Sequence, residues 1–161
     1  MFFESEHKAF TEASWGELDD RRADLCLFWI ESLRQFLAAD IMLDCEEIND
    51  IFQQDCAGIF SHIETTILEL GEKNHPRARN LCVEYLGFVL ACGYMYFRNV
   101  YNPERLIPVA RKILTRDDKT EIRHLVRDFA IPLYEEDWEI VEYVREGAAY
   151  FLKDCRKNKK D

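Results

Sequence analysis

Glycine and proline are scarce in this chain, six and four residues among 161. All-β folds need many tight turns and use both residues freely, so their scarcity favours long helices with few connections. Long apolar runs are missing as well. The longest uncharged stretch, Tyr85–Phe97, is thirteen residues, short of the about 20 that a membrane-crossing helix requires. It reads instead as a buried helix. The opening Met1–Glu6 has no basic n-region and no apolar h-region, so no signal peptide is expected. The six cysteines, at 26, 45, 56, 82, 92 and 155, contain no C-x-x-C pair, which argues against a zinc knuckle or a redox dithiol. Most of them fall among apolar residues of helical pattern, and with no secretory signal they read as reduced, core-filling thiols of a cytoplasmic protein. There is no G-x-S-x-G elbow and no glycine-rich phosphate loop.

What is present is apolar, aromatic and helical in period. The chain is 48% hydrophobic and 13% aromatic, too apolar for a disordered polymer, and its length suits one domain. Leu18, Leu25, Trp29, Leu33, Phe36 and Leu37 recur on one helical face after a Ser14-x-x-Glu17 capping box. Ile48, Phe52, Ile59, Ile63, Ile67 and Leu70 mark a second helix, opened by Asp44-x-x-Glu47 and closed by Gly71. Gly58 and Ser61-x-x-Glu64 leave open whether it is one helix or two, with one favoured. After Pro76, apolar residues cover every direction around the axis, the mark of a helix buried on all sides. Asn102-Pro103 predicts a further helix start, interrupted or delayed by Pro108. Thr115–Lys119 reads as a polar break, Ile131-Pro132 as a helix end, and Tyr134–Asp154 as the last helix, with Trp138, Val141, Val144, Ala148, Phe151 and Leu152 inward. The expected fold class is all-α: a compact bundle of six or seven helices around a hydrophobic central helix at about 77–100. It forms a single domain over 1–155, with a frayed basic tail at 156–161.

Charge is unevenly spread. The net −10 divides into −13 over residues 1–72, +6 over 73–127 and −3 over 128–161. Three constellations are worth placing. The first is Glu-x-x-His, at Glu4–His7, Glu72–His75 and Glu121–His124, the spacing with which ferritin-like bundles hold iron. Only Glu121–His124 lies within a helix, and its apolar neighbours Ile122, Leu125, Val126 and Phe129 turn it away from the core, so no metal site is expected. The second is acidic: Glu46, Glu47 and Asp50, followed by Glu69 and Glu72. This resembles all-helical nucleotide pyrophosphohydrolases, in which E-E-x-x-E and E-x-x-D on successive helices hold Mg²⁺ against a diphosphate. Here Asp50 stands where Glu is the pattern and Glu72 where Asp is. On one uninterrupted helix the clusters would lie roughly 30 Å apart. The third is a basic stripe, Arg105, Arg111, Lys112, Arg116, Lys119, Arg123 and Arg127, suited to phosphates unless it pairs with the acidic first third.

Three functions are consistent with these residues. The first is a non-enzymatic interaction or regulatory module presenting an acidic helical surface, from Glu17–Asp24 and Asp40–Asp55, to a protein with a basic surface. The second is a nucleic-acid- or nucleotide-processing protein using the stripe at 105–127. The third is a hydrolase using Glu46, Glu47, Asp50, Glu69 and Glu72 with Mg²⁺, which is the one cofactor any of these readings would need. No membrane partner is expected, and either a monomer or a homodimer is compatible with the aromatic content.

Overall fold

The computed structural model describes residues 15–38, 47, 50, 57–92 and 101–156. Among these residues there are six α-helices and no strand: α1 (Trp15–Ala38), α2 (Ala57–Glu72), α3 (Arg77–Cys92), α4 (Ile107–Ile113), α5 (Arg116–Leu133) and α6 (Trp138–Asp154). A 3-10 turn at Pro103–Leu106 leads into α4. The all-α bundle expected from the sequence is what forms. None of the described helices is long and apolar enough to cross a membrane.

The centre is α3. Eleven of its residues are buried, and it packs against α1, α2, α4, α5 and α6. Tyr85, Leu86, Phe88 and Val89 are all fully enclosed, because no direction around this helix is polar over that stretch. Residues 93–100, which the sequence reading added to this helix, lie outside the described residues. One hydrophobic cluster runs through all six helices, from Cys26 and Trp29 on α1 to Val141 and Leu152 on α6. Gly87 lets α5 approach α3 closely, since a Cβ there would lie 2.8 Å from Leu125 Cβ.

Several boundaries differ from the sequence reading, each for a local reason. The stop at Gly71 is wrong. Gly71 sits inside α2, and Asn74 takes the left-handed conformation (φ 56°) instead. His75 N–H donates to Leu70 O (2.9 Å) and Asn74 N–H to Gly71 O (3.1 Å), which closes the helix with a Schellman motif. Glycine is needed at 71 for space: a Cβ there would lie 2.1 Å from Val109 Cγ2 on α4. Ser61 opens nothing, because α2 is continuous through Gly58 and Ser61. Continuity of this helix back to residue 44 falls outside the described residues, as does the Ser14 cap.

The break at Thr115–Lys119 shrinks to two residues. Leu114 is extended, and Thr115 caps α5 through a full capping box with Asp118. Proline does not end α5 at Ile131 either. Pro132 lies inside the last turn, where its missing N–H removes only one helical bond. The chain turns after it, with Glu135 and Glu136 both left-handed (φ 53° and 59°) and Glu136 N–H donating to Ile131 O (2.9 Å). The Tyr134 hydroxyl ties this end to α3 by donating to Ala91 O (2.6 Å). As a result α6 begins at Trp138 rather than Tyr134, with Asp137 as N-cap. Trp138 is 56% exposed and is no core residue. Val141, Val144, Ala148 and Leu152 carry the inward face as expected, with Phe151 half-buried.

Asn102 is the N-cap of the 3-10 turn, but its side chain makes no capping bond. Its backbone N–H instead donates to Glu64 Oε2 (2.7 Å). Glu64 is 2% exposed. It also accepts the Tyr85 hydroxyl hydrogen and an Arg105 N–H at 3.1 Å, while Arg105 reaches Thr65 Oγ1 at 3.2 Å. A carboxylate removed from water is tolerable only when its lone pairs are filled in this way. Burial, with Glu64 beside it, holds the Tyr85 phenol well above its usual pKa, so it remains a donor.

Candidate functional site: a basic groove between α5 and α6

Helices α5 and α6 are joined by the tight turn at 134–137 and pack side by side. A turn that short makes them antiparallel neighbours. The first turn of α5 therefore faces the last turn of α6, and basic residues far apart in sequence meet. Arg116, Lys119 and Arg123 line one wall of a groove of about 580 Å³; Lys153 and Arg156 line the other. Its floor is apolar, with Leu114, Ala149 and Leu152, and no acidic residue lines it among the described residues. Ala149 and Arg123 also line a second hollow of about 360 Å³ that carries the groove on past Arg127. There the walls are mixed: Arg145 holds Glu142 (2.6 Å), and Glu146 joins them.

The spacing along α5 explains the alignment. Residues three and four apart share a helix face, so 116, 119, 123 and 127 form a row with a rise of about 1.5 Å per residue. None of Arg116, Lys119, Arg123, Arg127, Lys153 and Arg156 has a carboxylate within 4 Å among the described residues. In the first turn of α5 the Asp118 amide is already engaged. Thr115 and Asp118 cap each other, and Arg79 grips Asp118 at 3.0 and 3.2 Å. Partial burial opposes ionisation of Asp118, but the hydrogen bonds from Arg79 and Thr115 outweigh it and lower its pKa. The groove's positive character therefore rests on its side chains.

The stripe expected from the sequence divides in two. Arg105 serves Glu64. Arg111 Nε donates to Asp154 O (2.6 Å), tying α4 to the end of α6. Lys112 Nζ reaches Gly71 O (3.4 Å), near the end of α2. These three hold the fold together, while Arg116, Lys119 and Arg123 are in the groove and Arg127 in its continuation. Sequence reasoning missed Lys153, Arg156 and Arg145. The available signal was the short connection after Pro132, which makes α5 and α6 a hairpin.

Glu47 and Asp50 are exposed, and Glu46 lies outside the described residues. Glu69 is engaged by Arg22 at 2.6 Å, and Glu72 is exposed at the end of α2. Glu121 and His124 both face outward. The His75 ring accepts the Arg77 N–H at 3.1 Å and approaches Asp20 at 3.5 Å, so it serves the entry to α3. Glu4 and His7 lie outside the described residues. Among the described residues, no three of His, Cys, Asp and Glu are placed to hold a metal ion. Cys26, Cys82, Cys92 and Cys155 are free and buried. Burial pushes the Cys26 thiol up to about 12 and the Cys155 thiol to about 11, and raises Cys82 and Cys92 as well. None is a nucleophile at neutral pH, since only the thiolate attacks.

Several described acids of the first third hold cations, while most of the expected acidic surface at Asp40–Asp55 lies outside the described residues. Asp19 takes Lys73 (3.2 Å), Asp24 takes Arg77 (2.6 Å), and Arg34 meets Glu31 (3.6 Å) and Glu84 (2.9 Å). Cations of α1, Lys73 after α2 and Arg77 of α3 thus meet these acids, whereas Arg116, Lys119, Arg123, Arg127, Lys153 and Arg156 have no carboxylate partner among the described residues. No protein-family model matches the chain, and neither a curated protein nor a solved structure is detectably similar to it.

Proposed function

We propose that the chain is a binding protein for phosphate-bearing ligands of the nucleic-acid and nucleotide class, and that the groove between α5 and α6 is its working surface. One observation carries this reading. Four cationic side chains from two helices, joined by Arg156 just past the end of α6, line one groove, with no carboxylate within 4 Å of any of them among the described residues. Like charges brought together repel one another, and an anionic ligand relieves that repulsion. The net charge of −10 opposes a polyanion at long range, so the segregation of these cations matters: a cationic cleft focuses its own local field. The acidic-surface reading has less support over Glu17–Asp24, where Asp19 and Asp24 already hold Lys73 and Arg77; most of Asp40–Asp55 lies outside the described residues. The hydrolase reading has no described convergence of its two acidic clusters behind it.

The test is an anisotropy titration of labelled single-stranded DNA and RNA dodecamers between 50 and 200 mM salt. Each neutralised phosphate of a single strand contributes about −0.7 to the slope of log K against log salt, so four contacts give roughly −2.8, or roughly a fiftyfold weakening over that range. Absence of binding at the lowest salt by the dodecamers and by a nucleoside triphosphate alike, or binding indifferent to salt, rules the reading out.

A further inference from the structure

The charge of the groove changes along its length, and this bears on the shape of the ligand's charge. At the end built by Arg116, Lys119, Arg123, Lys153 and Arg156, five cations surround about 580 Å³ with no acid among them. Beyond Arg123 the walls are mixed: Arg127 and Arg145 remain, but on the α6 wall Glu142 holds Arg145 at 2.6 Å and Glu146 adds a second carboxylate. The turn and first residues leading into that wall add Glu135, Glu136, Asp137 and Glu139, all exposed. A phosphodiester strand laid along the whole groove presents the same negative charge throughout, so its far phosphates would meet carboxylates. A ligand whose negative charge is gathered at one end meets only the cations. The size agrees, since small-ligand sites span about 300–1,000 Å³. The floor of Leu114, Ala149 and Leu152 sets the cations against apolar surface, where charge pairs act more strongly than in open water.

Resting on the phosphate-binding reading above, we infer that the groove takes its ligand by a cluster of linked phosphates rather than by a run of phosphodiesters. Two sources share that chemistry, a free nucleoside triphosphate and the 5′-triphosphate end of a strand. Arginine pairs with phosphate oxygens bidentately and lysine as a point charge. Three arginines and two lysines can therefore distribute over three linked phosphates with no role for the capped helix amides. The basic residues at 157–160 adjoin Arg156 in sequence, and the inference does not use them.

The experiment is calorimetric titration of the whole chain, without Mg²⁺, with inorganic triphosphate, inorganic phosphate, ATP, and one RNA hexamer bearing either a 5′-triphosphate or a 5′-hydroxyl. The expected result is that triphosphate binds at least tenfold more tightly than phosphate, and the 5′-triphosphate hexamer at least tenfold more tightly than its 5′-hydroxyl form. The tighter of ATP and the 5′-triphosphate hexamer identifies the source. The double variant Lys153→Glu/Arg156→Glu should lose at least tenfold in triphosphate affinity with an unchanged melting temperature. If the 5′-hydroxyl hexamer binds as well as the 5′-triphosphate form and inorganic triphosphate does not bind, the inference is overturned while the groove remains a strand-binding surface. If triphosphate binds but the double variant binds it equally well, the assigned location is wrong. If none of the five ligands binds, the inference and the phosphate-binding reading fall together.

Discussion

Replacing Glu64 with alanine should lower the unfolding free energy by about 3–5 kcal/mol, the cost typical of removing one partner from a buried, hydrogen-bonded charge pair. The loss comes from what the carboxylate leaves behind. Its Arg105 guanidinium would keep only Thr65 at 3.2 Å, while the Tyr85 hydroxyl and the Asn102 N–H would lose the acceptor they now share. An orphaned buried donor costs its full desolvation, about 1–3 kcal/mol each. Three elements meet here, α2, α3 and the 3-10 turn, so the damage should spread to the docking of α4. Chemical denaturation monitored by circular dichroism measures the loss. Adding Arg105→Ala to Glu64→Ala should cost far less than Arg105→Ala does alone, since the pair acts as a unit. Independent, additive losses would show that the network is not coupled.

Gly71→Ala is the second large effect, and its sign runs against helix propensity. In an exposed helix the change would add about 1 kcal/mol. At Gly71 the new methyl would stand 2.1 Å from Val109 Cγ2 and 3.5 Å from its Cβ. Val109 is 6% exposed, and a β-branched side chain has little rotamer freedom with which to retreat. Overpacking of this kind costs typically about 1–3 kcal/mol and occasionally more, and so severe an overlap should leave a net loss of about 3 kcal/mol. Val109→Ala in the same chain should recover part of it, although Val109→Ala alone destabilises. The denaturant midpoints of the three variants provide the check; a Gly71→Ala chain as stable as the parent would mean that α2 and α4 do not approach closely at this point.

These two residues also show how far the sequence could be read. The helical class and the central position of α3 were legible because thirteen uncharged residues leave a helix no polar face, and a helix without one must be enclosed. Gly71 was read as a stop because glycine is common past helix ends. The alternative, a glycine that admits a neighbouring helix, depends on where α4 lies, and no local pattern carries that information. Glu64 was read as the far half of a capping box with Ser61, since the spacing fits; its true partners, Tyr85, Asn102 and Arg105, are 21, 38 and 41 residues away. Pro132 was read as a breaker, yet at the last turn of a helix its penalty is small. In each case a local pattern suggests one use and long-range packing decides another.

The groove was half legible. Charge alone puts Arg116, Arg123 and Arg127 in one stripe with Arg105, Arg111 and Lys112, which differ from them in having tertiary acceptors. Lys153 and Arg156 carried no signal of their own. They become part of the site because α5 and α6 are antiparallel, and the observed turn with its two left-handed glutamates produces that arrangement.

The most direct test of the account is a map of where an anionic ligand touches the molecule, obtained by titrating inorganic triphosphate into the isotopically labelled protein and following backbone amide and arginine Nε resonances. The account predicts shifts concentrated at Arg116, Lys119, Arg123, Lys153 and Arg156, weakening toward Glu142 and Glu146, with α1 and α2 unmoved. Shifts concentrated on α1 and α2, or a spectrum that stays the same up to millimolar ligand at low salt, would contradict it.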